Sequence, residues 1–129
     1  MSLAYVDASA LVKLILDEPD AAPMRRWYIE SARIATSHVG AIETRRAVAR
    51  KVDDADRIDA IFSSVVVIGL DPGIGRVAAT LAPPTLRTLD AIHLATALSL
   101  ASELDAFVTY DDRLADAARS LGLPVVRPA

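Results

Sequence analysis

Four acidic residues, far apart in the chain, stand where apolar segments end or begin: Asp7, Glu43, Asp90 and Asp111. Asp7 closes "LAYVD", and Asp111 directly follows "DAFVTY". Asp90 is the only full charge between Arg87 and Glu103, in the otherwise Leu-, Ala-, Ser- and Thr-rich "RTLDAIHLATALSLASE". Glu43 lies six residues beyond "RIATS". Two carboxylates ~5 Å apart repel by about 3 kcal/mol at an effective dielectric of ~20. Gathering several without basic partners therefore calls for a cation. With no Cys and no obvious His pair, the ligands would be oxygens, which suits Mg2+ or Mn2+. A divalent ion held this way activates water and polarises a phosphate.

Each carboxylate also has a plainer role. Asp7 and Asp111 could cap the helices they precede, and Asp90 could complement a helix dipole, with Thr88 as its N-cap. Glu43 could pair with Arg46 one turn on. The joint pattern is what points to a site. His93, three residues after Asp90, reads as a buried, hydrogen-bonded structural histidine. Ser9 and Thr109 flank the two strand-end aspartates, and their hydroxyls could orient a carboxylate or a water. "ETRRAVARK" puts Arg45, Arg46, Arg50 and Lys51 within seven residues, either a solvated helix face or a patch for a nucleic-acid backbone.

The elements that must position these groups alternate. "LAYVD", "RIATS", "VVVIGL", "DAFVTY" and "PVVR" read as strands, "VVVIGL" most clearly. Between them lie helical stretches: "ASALVKLILDE", "DAAPMRRWYIES", the long run through "AIETRRAVARK", "DDADRIDAIFSS", "DPGIGRVAATL" with Asp71 as cap, the Asp90 helix, and "DDRLADAARSLG" ending at Gly122. Apolar strands alternating with helices predict a parallel sheet covered on both faces, a three-layer α/β/α domain. Such sheets place their sites at the carboxyl ends of the strands. Crossover helices run antiparallel to the strands, so their N-termini reach that same edge. Asp7, Glu43, Asp90 and Asp111 are thus expected on one rim.

Composition fits one domain spanning 1–129. The chain has 53% hydrophobic residues and a net charge of −3, which weighs mildly against a protein living on DNA. The absence of Cys excludes disulfides and Cys-based zinc sites and suits a cytoplasmic location. The N-terminal segment does not read as a signal peptide, and no run approaches ~18 uninterrupted apolar residues, so no membrane span is expected. "LVKLILDEPDAAPMRRWYIE" carries more apolar surface, including Trp27, Tyr28 and Ile29, than one face of each helix easily buries. An apolar groove for a partner helix is expected there if the aromatics are exposed.

The segments "YVDASALVKL", "IETRRA", "LDAIHLATAL" and "VTYDDRLADAARSLGLPV", in this order, resemble the PIN domain, and more narrowly the toxin ribonucleases of the VapC type. The resemblance covers essentially the whole chain, although 53–86 carries no family motif. It implies an Mg2+- or Mn2+-dependent endoribonuclease in which Asp7, Glu43, Asp90 and Asp111 form the catalytic and metal-binding set. Ser9 and Thr109 match family positions beside the site, and Asp112 becomes a candidate outer ligand. Arg45, Arg46 and Arg50 become candidate RNA contacts. The resemblance also implies a small cognate antitoxin and a homodimer. Alternatives are a PIN-fold module without catalysis, a metal-dependent phosphatase and a receiver-type domain. The phosphatase lacks a second Asp two residues after Asp7, where Ser9 stands. The receiver lacks a Lys after a late strand, since the only lysines are Lys13 and Lys51.

Overall fold

The structure, a computed structural model, describes residues 2–31 and 33–129. Its sheet has five strands, β1 (Leu3–Val6), β2 (Ile34–Ser37), β3 (Val65–Ile68), β4 (Leu104–Val108) and β5 (Val125–Val126), in the order β3-β2-β1-β4-β5. Every pairing is parallel. Parallel neighbours need long crossovers. From β1 to β2 the chain passes through α1 (Ala8–Leu11), a 3-10 turn (Val12–Leu14) and α2 (Ala21–Glu30). From β2 to β3 it passes through α3 (His38–Ala49) and α4 (Ala55–Phe62), and from β3 to β4 through α5 (Pro72–Thr80) and α6 (Thr88–Leu98). Helix α7 (Asp112–Ser120) joins β4 to β5.

Alternation along the strands divides the core in two. Ala4 and Val6 of β1, with Ala106 and Val108 of β4, pack against Leu11, Met24, Val48 and Ile58 from α1 to α4. Leu3, Tyr5 and Phe107 face the other way, against Leu94 and Ala97 of α6 and Leu114 and Ala118 of α7. This is the three-layer arrangement that the alternating pattern predicts. The β1–β4 register shifts between Leu3 and Ala4, where Leu3 pairs with Leu104 and Ala4 with Ala106, leaving Asp105 as the extra residue. The Asp105 carboxylate takes up the freed backbone N–H of Leu3 at 3.3 Å.

Three expectations need correction. The sheet is covered on both faces at β1 and β2, but "VVVIGL" forms the edge strand β3, with Val66 48% and Val67 42% exposed. A continuous apolar run says strand; it does not say how many neighbours the strand has. "ASALVKLILDE" is no long helix: α1 stops at Leu11 and tightens into the 3-10 turn. Residues 10 to 16 are all buried, so they carry no polar face for an amphipathic helix. Lys13 among them donates to the Pro19 carbonyl at 2.7 Å and lies 4.7 Å over the Tyr110 ring. Finally, Thr88 is not the cap of α6. Arg87 occupies that position in extended conformation without a side-chain cap bond, and Thr88 is the first helical residue.

Candidate active site

Strand order runs outward from β1 through β2 to β3 on one side, and through β4 to β5 on the other. The crossovers leaving β1 and β4 therefore diverge, and a crevice opens at the carboxyl ends of these two strands. Asp7 follows β1 directly, and Thr109 follows β4.

Asp7 is 3% exposed, yet both its oxygens are satisfied. Oδ1 accepts from the Ser9 hydroxyl at 2.7 Å and from the Ala10 N–H at 3.1 Å, which makes Asp7 the N-cap of α1. Oδ2 accepts from the Thr109 hydroxyl at 2.6 Å. The Tyr110 N–H donates to Ser9 Oγ at 2.9 Å, and the Asp111 N–H to Thr109 Oγ1 at 3.0 Å. One network thus ties the ends of β1 and β4 together. Burial raises the Asp7 pKa, and the two hydroxyl bonds offset that only in part.

Asp111 caps α7, accepting from the Leu114 N–H at 3.1 Å, and remains exposed. Half-buried Asp90 lies in the first turn of α6, where carboxylates are favoured by the helix dipole. Its pKa is raised first by burial and then by the negative charge of Asp111; His93, Arg87 and Arg113 act against this. Asp90 and Asp111 are therefore close enough to repel. Among the described residues Asp7, Asp90 and Asp111 form no ion pair. The plainer roles are real for Asp7 and Asp111, but capping uses only part of each carboxylate's capacity.

Glu43 does not pair with Arg46. Its Oε1 meets His93 Nε2 at 2.7 Å. His93 is buried, as expected, and its Nδ1 lies 2.7 Å from the Tyr5 hydroxyl. The sequence reading passed over Tyr5. The available signal was its period-two relation to Asp7: in a strand, residues two apart share a face.

The supporting residues divide. Ser9 and Thr109 stand beside Asp7. Asp112 instead forms an ion pair with Arg127 at 2.7 Å, whose Nε also donates to the Thr109 carbonyl at 3.2 Å. Arg45 pairs with Asp59 at 3.1 Å and lies 4.8 Å over the Phe62 ring. Arg46 and Arg50 are exposed, with no ion pair among the described residues. Arg50 lines a depression of about 370 Å³ together with Ser9 and Glu43. It also lines a second, of about 310 Å³, with Arg45 and Arg46. Arg50 thus borders both the depression at Glu43 and the basic face of α3. Trp27 and Tyr28 are half-buried against the core, and the exposed large apolar residue of α2 is Ile29, at 79%.

Among the described residues no three His, Asp or Glu side chains are arranged to hold a metal ion as they stand. What the rim offers is an unpaired, mutually repelling carboxylate pair, with a buried third carboxylate and Glu43 beside it. A hard cation that keeps several of its waters suits such a donor set.

Comparison with known proteins places these features. The pattern of the PIN domain matches residues 4–120. Ribonuclease VapC47 of Mycobacterium tuberculosis (strain CDC 1551 / Oshkosh) is 37% identical over 132 residues, covering 98% of this chain and 97% of the relative. Among solved structures, the Mycobacterium tuberculosis VapC20, a toxin that cleaves the sarcin–ricin loop, superposes with a TM-score of 0.75 at 16% identity, covering 97% of this chain and 99% of that one. VapBC2 from Rickettsia felis, solved on a DNA fragment from its promoter, gives 0.72 at 13% identity, covering 98% and 99%.

Proposed function

This chain belongs to the PIN-domain family, and from that premise we propose that it is a metal-dependent endoribonuclease, the toxin of a toxin–antitoxin pair. The observation that supports the reading is the Asp7 network at the ends of β1 and β4, with Asp90 and Asp111 close enough to repel and Glu43 lining a depression with Ser9 and Arg50. Asp7, Asp90, Asp111 and Glu43 would hold Mg2+ or Mn2+, which when bound would supply positive charge to the reacting phosphodiester.

The protein's own groups do the rest. Asp7 is oriented by Ser9, Thr109 and the Ala10 N–H, so its carboxylate does not turn. Asp90 and Asp111 concentrate negative charge at the mouth of the crevice, which binds a cation and repels a phosphate until that cation is present. Glu43, held through one oxygen, lines a depression with Ser9 and would be suited to accept a proton from an attacking water. Arg46 and Arg50 guide the RNA backbone by charge. Arg45 contributes less, because Asp59 already neutralises it.

The proposed partners are RNA, a cognate antitoxin and a second copy of the chain. A relative named as a VapC ribonuclease, matched over nearly its whole length, supports the antitoxin. Leu70, Val77 and Leu89 are exposed apolar residues, and Leu70 and Leu81 line a depression of about 360 Å³ at α5 and α6; an apolar surface of this kind supports a dimer. No helix among the described residues is long and apolar enough to cross a membrane. An RNA substrate and a cysteine-free chain support a cytoplasmic location.

The direct test incubates purified protein with structured RNA in Mg2+, in Mn2+ and in EDTA, beside Asp7→Asn. Cleavage that requires metal and disappears in the variant is expected. Equal cleavage by both proteins, or none by the wild type on any RNA in either metal, refutes the reading.

A further inference from the structure

Glu43 sits in the middle of α3 on a side chain with three rotatable bonds, yet one of its oxygens is fixed at 2.7 Å from His93 Nε2. His93 is in turn fixed from behind. Its Nδ1 is 2.7 Å from the Tyr5 hydroxyl, and its ring stands edge-on to Tyr5 with centroids 5.9 Å apart. Tyr5 has no freedom of its own: it is fully buried and stacks on Phe107 at 5.3 Å and 12°.

The Ser37 N–H donates to Tyr5 Oη at 3.2 Å, so the phenol that backs the imidazole is itself held from the end of β2.

The packing around the ring gives a second observation. Gly40, one turn before Glu43 on α3, leaves no room for a side chain: a Cβ there would collide with Thr36 Oγ1 and stand 3.1 Å from His93 Cε1. A glycine inside a helix is unfavourable by itself. Here it lets α3 approach the imidazole closely enough for Glu43 to reach Nε2.

We propose that His93 is the positioning residue for Glu43: held from behind by Tyr5, its Nε2 clamps one carboxylate oxygen and leaves the other for the site. The clamp orients Glu43 before anything binds, the condition for a preorganised site. The role of the clamp rests on the nuclease reading.

The test uses the full chain. Mn2+ titration of the protein alone compares His93→Gln, which keeps a donor near the Nε2 position, with His93→Leu, which keeps only bulk. Mn2+ affinity should fall about 10- to 100-fold in His93→Leu. It should recover most of the way in His93→Gln, and kcat for RNA should follow with KM little changed. Gly40→Ala, which removes no donor but crowds the ring, should resemble His93→Leu. A folded His93→Leu with wild-type Mn2+ affinity and kcat overturns the clamp. A wild type that binds Mn2+ and cleaves nothing refutes the nuclease reading instead, while the Mn2+ titrations still decide the role of His93.

Discussion

The Thr109 hydroxyl donates to Asp7 Oδ2 at 2.6 Å across 102 residues of chain, and its oxygen accepts the Asp111 N–H at 3.0 Å. One side chain thus positions two candidate site carboxylates, and it is fully buried while doing so. Thr109→Val keeps the shape, removes the donor that Asp7 uses and leaves the Asp111 N–H without its acceptor. Equilibrium urea unfolding should show a loss of about 1–3 kcal/mol. Thr109→Ser, which keeps the hydroxyl, should lose less than half as much. Equal losses in the two variants would mean that the methyl group, and not the bond, matters there.

Asp7 and Asp90 both have raised pKa values in the folded chain, for burial and, at Asp90, for repulsion by Asp111. An acid of this kind holds its proton more tightly folded than unfolded. Its contribution to stability is present below the ordinary carboxylate range and is lost as pH rises through the folded value. The metal-free protein should therefore gain stability on mild acidification from neutrality. Asp90→Asn should raise the metal-free Tm at neutral pH, modestly because solvent screens a half-exposed group. That advantage should shrink as pH falls toward about 4. Scanning calorimetry across pH decides this, and a variant less stable than wild type at neutral pH contradicts it.

Metal should act in the opposite direction. An ion that binds only the native state stabilises by about 2.7 kcal/mol at one hundred times its Kd. Mn2+ or Mg2+ should therefore raise the wild-type Tm, EDTA should reverse the rise, and Asp90→Asn or Asp7→Asn should blunt it. Superimposable melts with and without metal would count against the carboxylate rim as an ion site.

Arg45, Arg46 and Arg50 should not be equivalent. Measured on Asp7→Asn, so that RNA is bound but not cut, Arg46→Ala and Arg50→Ala should each weaken binding. Each should also flatten the salt dependence by about 0.7 in log–log slope. Arg45→Ala should change either quantity less, because its guanidinium is already engaged by Asp59 and Phe62. A larger effect at Arg45 than at Arg50 would move the RNA path away from the depression shared with Ser9 and Glu43.

Trp27 is half-buried against the core, so its emission in the free protein should already be blue-shifted. On α2 the apolar contact left for a partner is Ile29. Ile29→Asp should lower affinity for the cognate antitoxin at least about 10-fold if that helix is engaged, with little effect on RNA cleavage. Unchanged affinity would remove α2 from the partner surface.

The alternation of strands and helices was legible because buried strands and crossover helices leave different periodicities, and strand-end aspartates announce the carboxyl edge. The placement of Asp7 and Asp111 just after β1 and β4 followed from that geometry. What stayed hidden was non-local or depended on neighbours. Nothing in the sequence near Glu43 reveals that it bonds a histidine 50 residues away, with Arg46 so close at hand. Asp112 resembled a ligand beside Asp111 until Arg127, from the far end of β5, took its carboxylate. The apolar run of β3 could not declare itself an edge. Thr88 has the composition of a cap, but the helix begins one residue earlier than a cap at Thr88 requires.

The pairing of β1 with β4 also fixes when the site can exist. A chain still being synthesised, or cut anywhere before Thr109, has Asp7 but neither the hydroxyl that orients it nor the carboxylate of Asp111. Contacts separated by about one hundred residues form late, after the local helices. For a chain read as an RNA-cleaving enzyme, this ordering is protective. Until Thr109 and Asp111 have been made, the ribosome handles a polypeptide whose candidate site is incomplete, and fragments that stop before them lack it.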